Sequence, residues 1–170
     1  MKRKLALILA VIMLCSLGAG CDLQKSYNTD SGTVSVDNGK ITYTGSDGTI
    51  SESSVAEDQL AAVSLPEGYP LDICPLVSDA KPIAVNKTTN AEGTTYWVTV
   101  TSLMQALDVY NFYCDQLQPT DKYGSNDFFT MSANKGGYSI SLIIKAEYAH
   151  TTICITITPA PAPPEPTPVP

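Results

Sequence analysis

Between residues 94 and 158, polar and apolar side chains alternate in runs that a sheet would divide between two faces. Thr94 to Thr101 sets Tyr96, Val98 and Val100 on one side, and Tyr138, Ile140, Leu142 and Ile144 keep strict period two. Ile153, Ile155 and Ile157 alternate with Thr152, Cys154, Thr156 and Thr158. That spacing predicts strands with one buried face. Pro82 to Val85 is predicted as an edge strand and Phe128 to Ser132 as a short apolar one, while Asn134-Lys-Gly-Gly137 reads as a hairpin turn.

One stretch changes period. Ser102-Leu-Met-Gln105 has capping-box spacing and predicts the start of a helix. After it, Leu103, Leu107, Tyr110, Cys114 and Leu117 form a single 4-3-4-3 stripe that Pro119 stops. On this register Leu107 belongs to the core, and Leu107→Ala is predicted to cost about 2–5 kcal/mol. One main helix packed on an antiparallel sheet of about five strands gives the expected fold class, a two-layer α+β domain over residues 65–158.

The flanks differ in composition. Residues 21–32 are polar and read as a tether. In residues 33–64, Asn38-Gly39 and Asp47-Gly48 punctuate short β-patterned runs, which predicts a small β-hairpin region of about three strands. Ser54-Val-Ala-Glu57 then has capping-box spacing, for a short helix or a linker. Leu65 to Pro75 carries three prolines and is expected to be extended and irregular. Residues 159–170 hold seven prolines in twelve positions, the composition of a disordered polyproline tail.

The first residues are of another kind. Lys2, Arg3 and Lys4 precede an uncharged apolar run from Leu5 to Leu14, followed by Gly18, Ala19 and Gly20. A basic region, an apolar region and a small-residue cleavage zone predict a secretory signal peptide over residues 1–20. The segment Leu17-Gly18-Ala19-Gly20-Cys21 resembles the lipobox of bacterial lipoprotein precursors. The resemblance implies cleavage before Cys21, a diacylglyceryl thioether on its sulfur and palmitate-type acylation. It also implies a lipid-anchored place on the extracytoplasmic face of the cell membrane, within the envelope. The alternative is an uncleaved anchor, since Leu5 to Cys21 is uncharged for 17 residues. From Pro66 to Thr158 the order of elements is similar to that of small uncharacterised lipoproteins of Gram-positive bacteria.

Charge narrows the partners. Without residues 1–20, seven lysines remain against 17 acidic residues, a formal charge of −10, and no arginine is left. Nucleic-acid binding needs clustered cations to displace counterions from phosphates, so no nucleic-acid partner is expected. Anionic lipid and anionic wall polymer would repel the chain, which leaves acyl chains on Cys21 to hold it to membrane lipid.

Catalytic chemistry finds little support. The chain has one histidine, His150, and no G-x-S-x-G, S-x-x-K, H-E-x-x-H or G-x-G-x-x-G stretch. Cys114 falls late in its helix on the apolar stripe, as a small buried hydrophobe would. No catalytic residue, metal or cofactor is therefore assigned. Cys74, Cys114, Cys154 and His150 lack the C-x2–4-C spacing of structural zinc sites. In an exported protein these thiols suit a disulfide, either Cys74–Cys154 or Cys74–Cys114, and reduced thiols are equally compatible. Asp37, Asn38 and Asp47 are explained by turn chemistry rather than calcium. Trp97 faces away from Tyr96, Val98 and Val100. It is predicted to be covered by Leu65–Pro75, or else to form an exposed sugar- or peptide-binding surface.

The leading expectation is thus a non-catalytic interaction or binding domain on a membrane-anchored extracytoplasmic lipoprotein, with an envelope protein as a candidate partner. A solute-capture lipoprotein serving a transporter is the alternative, and a cell-envelope enzyme the second.

Overall fold

The computed structural model describes residues 25–29, 31–37, 39–56 and 62–161. Their chain order is β1 (Lys25–Thr29), β2 (Gly32–Asp37), β3 (Lys40–Gly45), β4 (Ile50–Val55), β5 (Lys81–Asn90) and β6 (Gly93–Ser102). Helix α1 (Ala106–Leu117) follows, then β7 (Asp121–Ser125), β8 (Phe128–Lys135), β9 (Tyr138–Ala146) and β10 (Thr151–Pro159). All ten strands form one antiparallel sheet in the order β1-β2-β3-β4-β5-β6-β10-β9-β8-β7.

The expected α+β domain, one main helix on about five strands, is therefore overturned. The described residues are mostly β, with a single short helix on a ten-stranded sheet. The five strand-patterned runs fall within β5, β6, β8, β9 and β10. The remaining strands were hidden by their composition. β7 reads Asp-Lys-Tyr-Gly-Ser and β1 reads Lys-Ser-Tyr-Asn-Thr, both as polar as loops. The second half of β5 is Asn-Lys-Thr-Thr-Asn. Edge or uncovered strands need no apolar face, so period two in hydrophobicity is absent.

Pro82 does not lie on an edge strand either, since β5 is paired on both sides. It is tolerated because β4 ends at Val55, opposite Ala84, so no ladder partner awaits a Pro82 N–H. There the sheet is continued by single bonds: Ala56 N–H donates to the Ile83 carbonyl at 2.9 Å, and Val63 N–H to that of Pro82 at 2.9 Å. The expected hairpin strands are β2, β3 and β4, and β4 pairs with β5, so the sheet runs on without a break. Asp37 pairs with Lys40 around a two-residue turn whose Gly39 has φ 75°. Asn38 lies outside the described residues. So do residues 57–61, which include Glu57 of the expected short helix; Ser54 and Val55 end β4 instead.

β6 sits at the centre, and α1 carries the chain to the far edge at β7. From there β7, β8 and β9 step back until β10 pairs with β6. The register lines up the apolar residues of four strands in rows. Val98, Ile155, Leu142 and Met131 form the middle row, with Val100, Ile153, Ile144 and Phe129 on one side. Tyr96, Ile157, Ile140 and Ala133 form the other. Every one of these side chains is buried. α1 covers β8 and β9, where Tyr110 stacks on Phe129 with ring centroids 4.7 Å apart. The irregular segment 62–80 covers the rest, with Tyr69 edge-on to Tyr96 at 5.9 Å and Cys74 and Val77 in the core.

The helix is rotated from its expected stripe. Ser102 ends β6 instead of capping the helix, and α1 begins only at Ala106, after an extended Gln105. Leu103 is in the connection and 79% exposed, and Leu107 is 54% exposed. Ala106, Val109, Tyr113 and Leu117 are the buried face, which turns the stripe by about 75° at 3.6 residues per turn. Of the expected set, Leu117 is buried, while Tyr110 and Cys114 flank the core.

Candidate functional site

The helix-bearing face is filled over β6, β8, β9 and β10, and the opposite face carries no layer of described residues. That open face is built by the other half of each strand's alternation. Trp97 is in its centre, 41% exposed, paired with Asn86 of β5 and Thr156 of β10. The expected cover by Leu65–Pro75 is not what the chain does. That segment packs on the helix side, against Tyr96, because its own apolar residues Tyr69 and Cys74 join the core there.

Around Trp97 the open face is uncharged. The row through Trp97 continues into Ser53 and Ser141, and the adjacent rows through Thr95 and Thr99 are likewise free of charge from β4 to β9. Next to the indole, Asn86 holds a polar network. Its amide nitrogen donates to the Ser51 and Ser53 hydroxyls at 3.0 and 2.6 Å, and its carbonyl oxygen accepts from Thr88 at 3.1 Å. Thr88 Oγ1 also lies 3.1 Å from Ser51 Oγ. These bonds fix the amide, so the polar groups beside Trp97 are preorganised.

At one end of this face is an open depression of about 690 Å3, lined by Asp79, Lys81, Leu103, Glu147 and His150 among others. Its fixed point is Asp79. One carboxylate oxygen accepts the Ser102 hydroxyl at 2.6 Å and the other the Leu103 N–H at 2.7 Å. Ser102 Oγ in turn accepts the Met104 N–H at 3.0 Å. The Ser102 bond, seconded by the Leu103 N–H, holds the Asp79 carboxyl below its ordinary 3.8. Ser102 is buried and donates to a weakly basic carboxylate, not to the imidazole of His150, so it is not primed as a nucleophile. The arrangement ties the β6–α1 connection to the segment before β5.

Asp79→Ala is accordingly expected to cost about 1–2 kcal/mol near neutral pH, discounted for partial exposure. A depressed carboxyl stabilises the fold above its unfolded value and loses that contribution as pH falls through the folded one. Urea midpoints of the two proteins should therefore differ most above about pH 5 and converge below about pH 4.

Among the described residues Cys74, Cys114 and Cys154 are free, so neither expected disulfide is formed. Cys154 is on the open face, its sulfur 3.8 Å from Thr99 Oγ1, while Cys74 and Cys114 are on the helix side. A Cys74–Cys154 bridge would have to pass through the sheet. Burial pushes the Cys74 thiol up to about 11, which keeps it protonated. Among the described residues, no group of three or more His, Cys, Asp and Glu gathers as a metal site would require. Cys21 lies outside the described residues, and among those described no helix is long and apolar enough to cross a membrane.

Sequence reasoning singled out Trp97 from its place in the alternation. It missed the Asn86 network, which needs the pairing of β4 with β5, and Asp79, whose partners are 23 and 24 residues away. Compared with protein-family models, curated proteins and solved structures, the chain matches none.

Proposed function

We propose that this chain is a membrane-anchored extracytoplasmic lipoprotein whose β domain is a non-catalytic binding module. The anchoring half of the reading rests on Leu17-Gly18-Ala19-Gly20-Cys21, with acyl chains on Cys21 in membrane lipid. The binding half is carried by one observation: Trp97 stands on a sheet face that no described layer covers, among uncharged rows from β4 to β9 and beside hydrogen-bonding groups already held in place. An aromatic side chain that meets solvent beside fixed polar groups suits recognition, because it supplies contact area while they supply orientation. Trp97 lines neither the depression at Asp79 nor a second one of about 520 Å3 between Glu92, Gly93, Thr158 and Pro159, which supports surface binding over the enclosure of a small solute.

Metabolic labelling with a palmitate analogue tests the anchor. The chain should take up label, and Cys21→Ala should not, with the thermal midpoint of the domain unchanged. Label retained by the variant would overturn the assignment of Cys21.

A further inference from the structure

We infer that the open face of the sheet is a binding platform for a neutral, extended polysaccharide, with Trp97 as its central stacking residue. The inference rests on the reading of the domain as a binding module and names the ligand class for that face.

The distribution of aromatic residues is one-sided. The exposed aromatics carried by described strands are Tyr27, Trp97, Tyr123 and Phe128. The register puts all four on the open face: Tyr27 shares a row with Thr95, Tyr123 with Thr99 and Phe128 with Thr101. The aromatics of the other face, such as Tyr96 and Phe129, are buried beneath the helix and the segment 62–80.

The chemistry between the aromatics selects the ligand. A pyranose ring offers an apolar face of C–H bonds, weakly positive, which suits the negative π face of an indole. Its rim of hydroxyls needs donors and acceptors close by. Ser53 accepts from Asn86 in the network and so retains its own proton to donate, and the flanking threonines both donate and accept. From β4 to β9 no cation stands in the rows through Thr95, Trp97 and Thr99 to pair with a uronate or phosphate; the nearest on this face are in the Thr101 row, at Lys81 and Lys145, and at Lys25 where the Trp97 row reaches β1. The net charge of −7 for the full chain opposes anionic polymers as well. The surface is an open sheet face with aromatics several strands apart, so a single sugar could engage only one of them. An extended chain of the β-1,4-linked kind can lie across the strands and meet more than one.

Because the chain has a single tryptophan, its emission reports this site alone. The purified full chain in detergent should show a saturable change in Trp97 emission on titration with cellohexaose or N-acetylchitohexaose. It should also be retained on cellulose or chitin. Trp97→Ala should weaken retention about tenfold or more, equivalent to about 1.4 kcal/mol, and Tyr123→Ala about two- to fivefold. Leu107→Ala, on the helix side, should leave retention unchanged. Carboxymethyl cellulose should bind at least about tenfold more weakly than the neutral polymer, as charge repulsion requires. The proposal is overturned if neither oligosaccharide alters the emission and neither polymer retains the protein. It is equally overturned if Trp97→Ala, folded by circular dichroism, is retained as well as the parent, or if the carboxymethylated polymer binds equally. Failure here with palmitate label present on Cys21 would sink the ligand class and leave the anchored lipoprotein standing.

Discussion

Tyr113→Ala is expected to cost about 3–5 kcal/mol, a large share of the stability of a domain this size. Tyr113 is fully buried in the middle of α1, with Val109 and Leu117 on the same face, and its ring meets Phe112 edge-on at 5.0 Å. Truncation would leave a ring-sized cavity between the helix and the sheet. Leu107→Ala, in contrast, removes a side chain that is mostly in water and should cost less than about 1 kcal/mol. A third variant separates shape from polarity. The Tyr113 hydroxyl is buried without a hydrogen-bond partner among the described residues, whereas the buried Tyr69 hydroxyl is set against the Cys74 thiol. Burial drives both phenols well above their ordinary range. Tyr113→Phe removes an unpaired polar atom and keeps the volume, so it should be neutral or stabilising by up to about 1 kcal/mol. Chemical denaturation of the three proteins checks all of this. Equal losses for Tyr113→Ala and Leu107→Ala would return the helix to the register its leucines suggest.

Ile155→Ala should cost about 2–5 kcal/mol. Ile155 is fully buried in β10, flanked on the sheet by Val98 of β6 and Leu142 of β9, so it is central to the apolar grid. No backbone adjustment can close the gap cheaply, because both neighbouring strands are held by their own ladders. Thr156→Ala, one residue on, faces the open side next to Trp97 and should stay within about 0.5 kcal/mol. Measured by urea unfolding, a comparable loss at both positions would mean that the open face is covered after all. The same contrast should appear in native-state hydrogen exchange. Amides of β6, β9 and β10 should exchange only on global unfolding, whereas those of β1 and β2, which no described layer covers, should open locally at lower free energy.

The two variants at β10 and the three at α1 differ in how far sequence could foresee them. The alternation of Ile153, Ile155 and Ile157 with threonines names the buried face of β10 outright, because a one-residue slip would expose every isoleucine. The same holds for β6 and β9, and it is what placed Trp97 on the face opposite the core. For α1 two stripes compete. Leu103, Leu107, Tyr110, Cys114 and Leu117 are the more hydrophobic, and Ala106, Val109, Tyr113 and Leu117 have equally good helical spacing. Local pattern cannot choose between them. The choice is tertiary: Asp79 accepts the Ser102 hydroxyl and the Leu103 N–H, which ties residues 102–103 to the segment before β5, and the helix starts only after an extended Gln105.

What the sequence determined by itself is therefore the set of strands with one wet and one dry face, the turns that need positive φ such as Gly39, and the net negative charge. These depend on neighbours within a few residues or on composition alone. Tertiary structure decided the number of strands, since polar β1 and β7 are strands only because a neighbour satisfies their backbone hydrogen bonds. It decided the side of the sheet on which Leu65–Pro75 lies, and hence that Trp97 is uncovered. It also brought Asn86 to Ser51 and Ser53, more than thirty positions earlier in the chain, through the pairing of β4 with β5. Such contacts depend on which surfaces meet once the sheet has formed, and no periodicity within a single segment encodes that meeting.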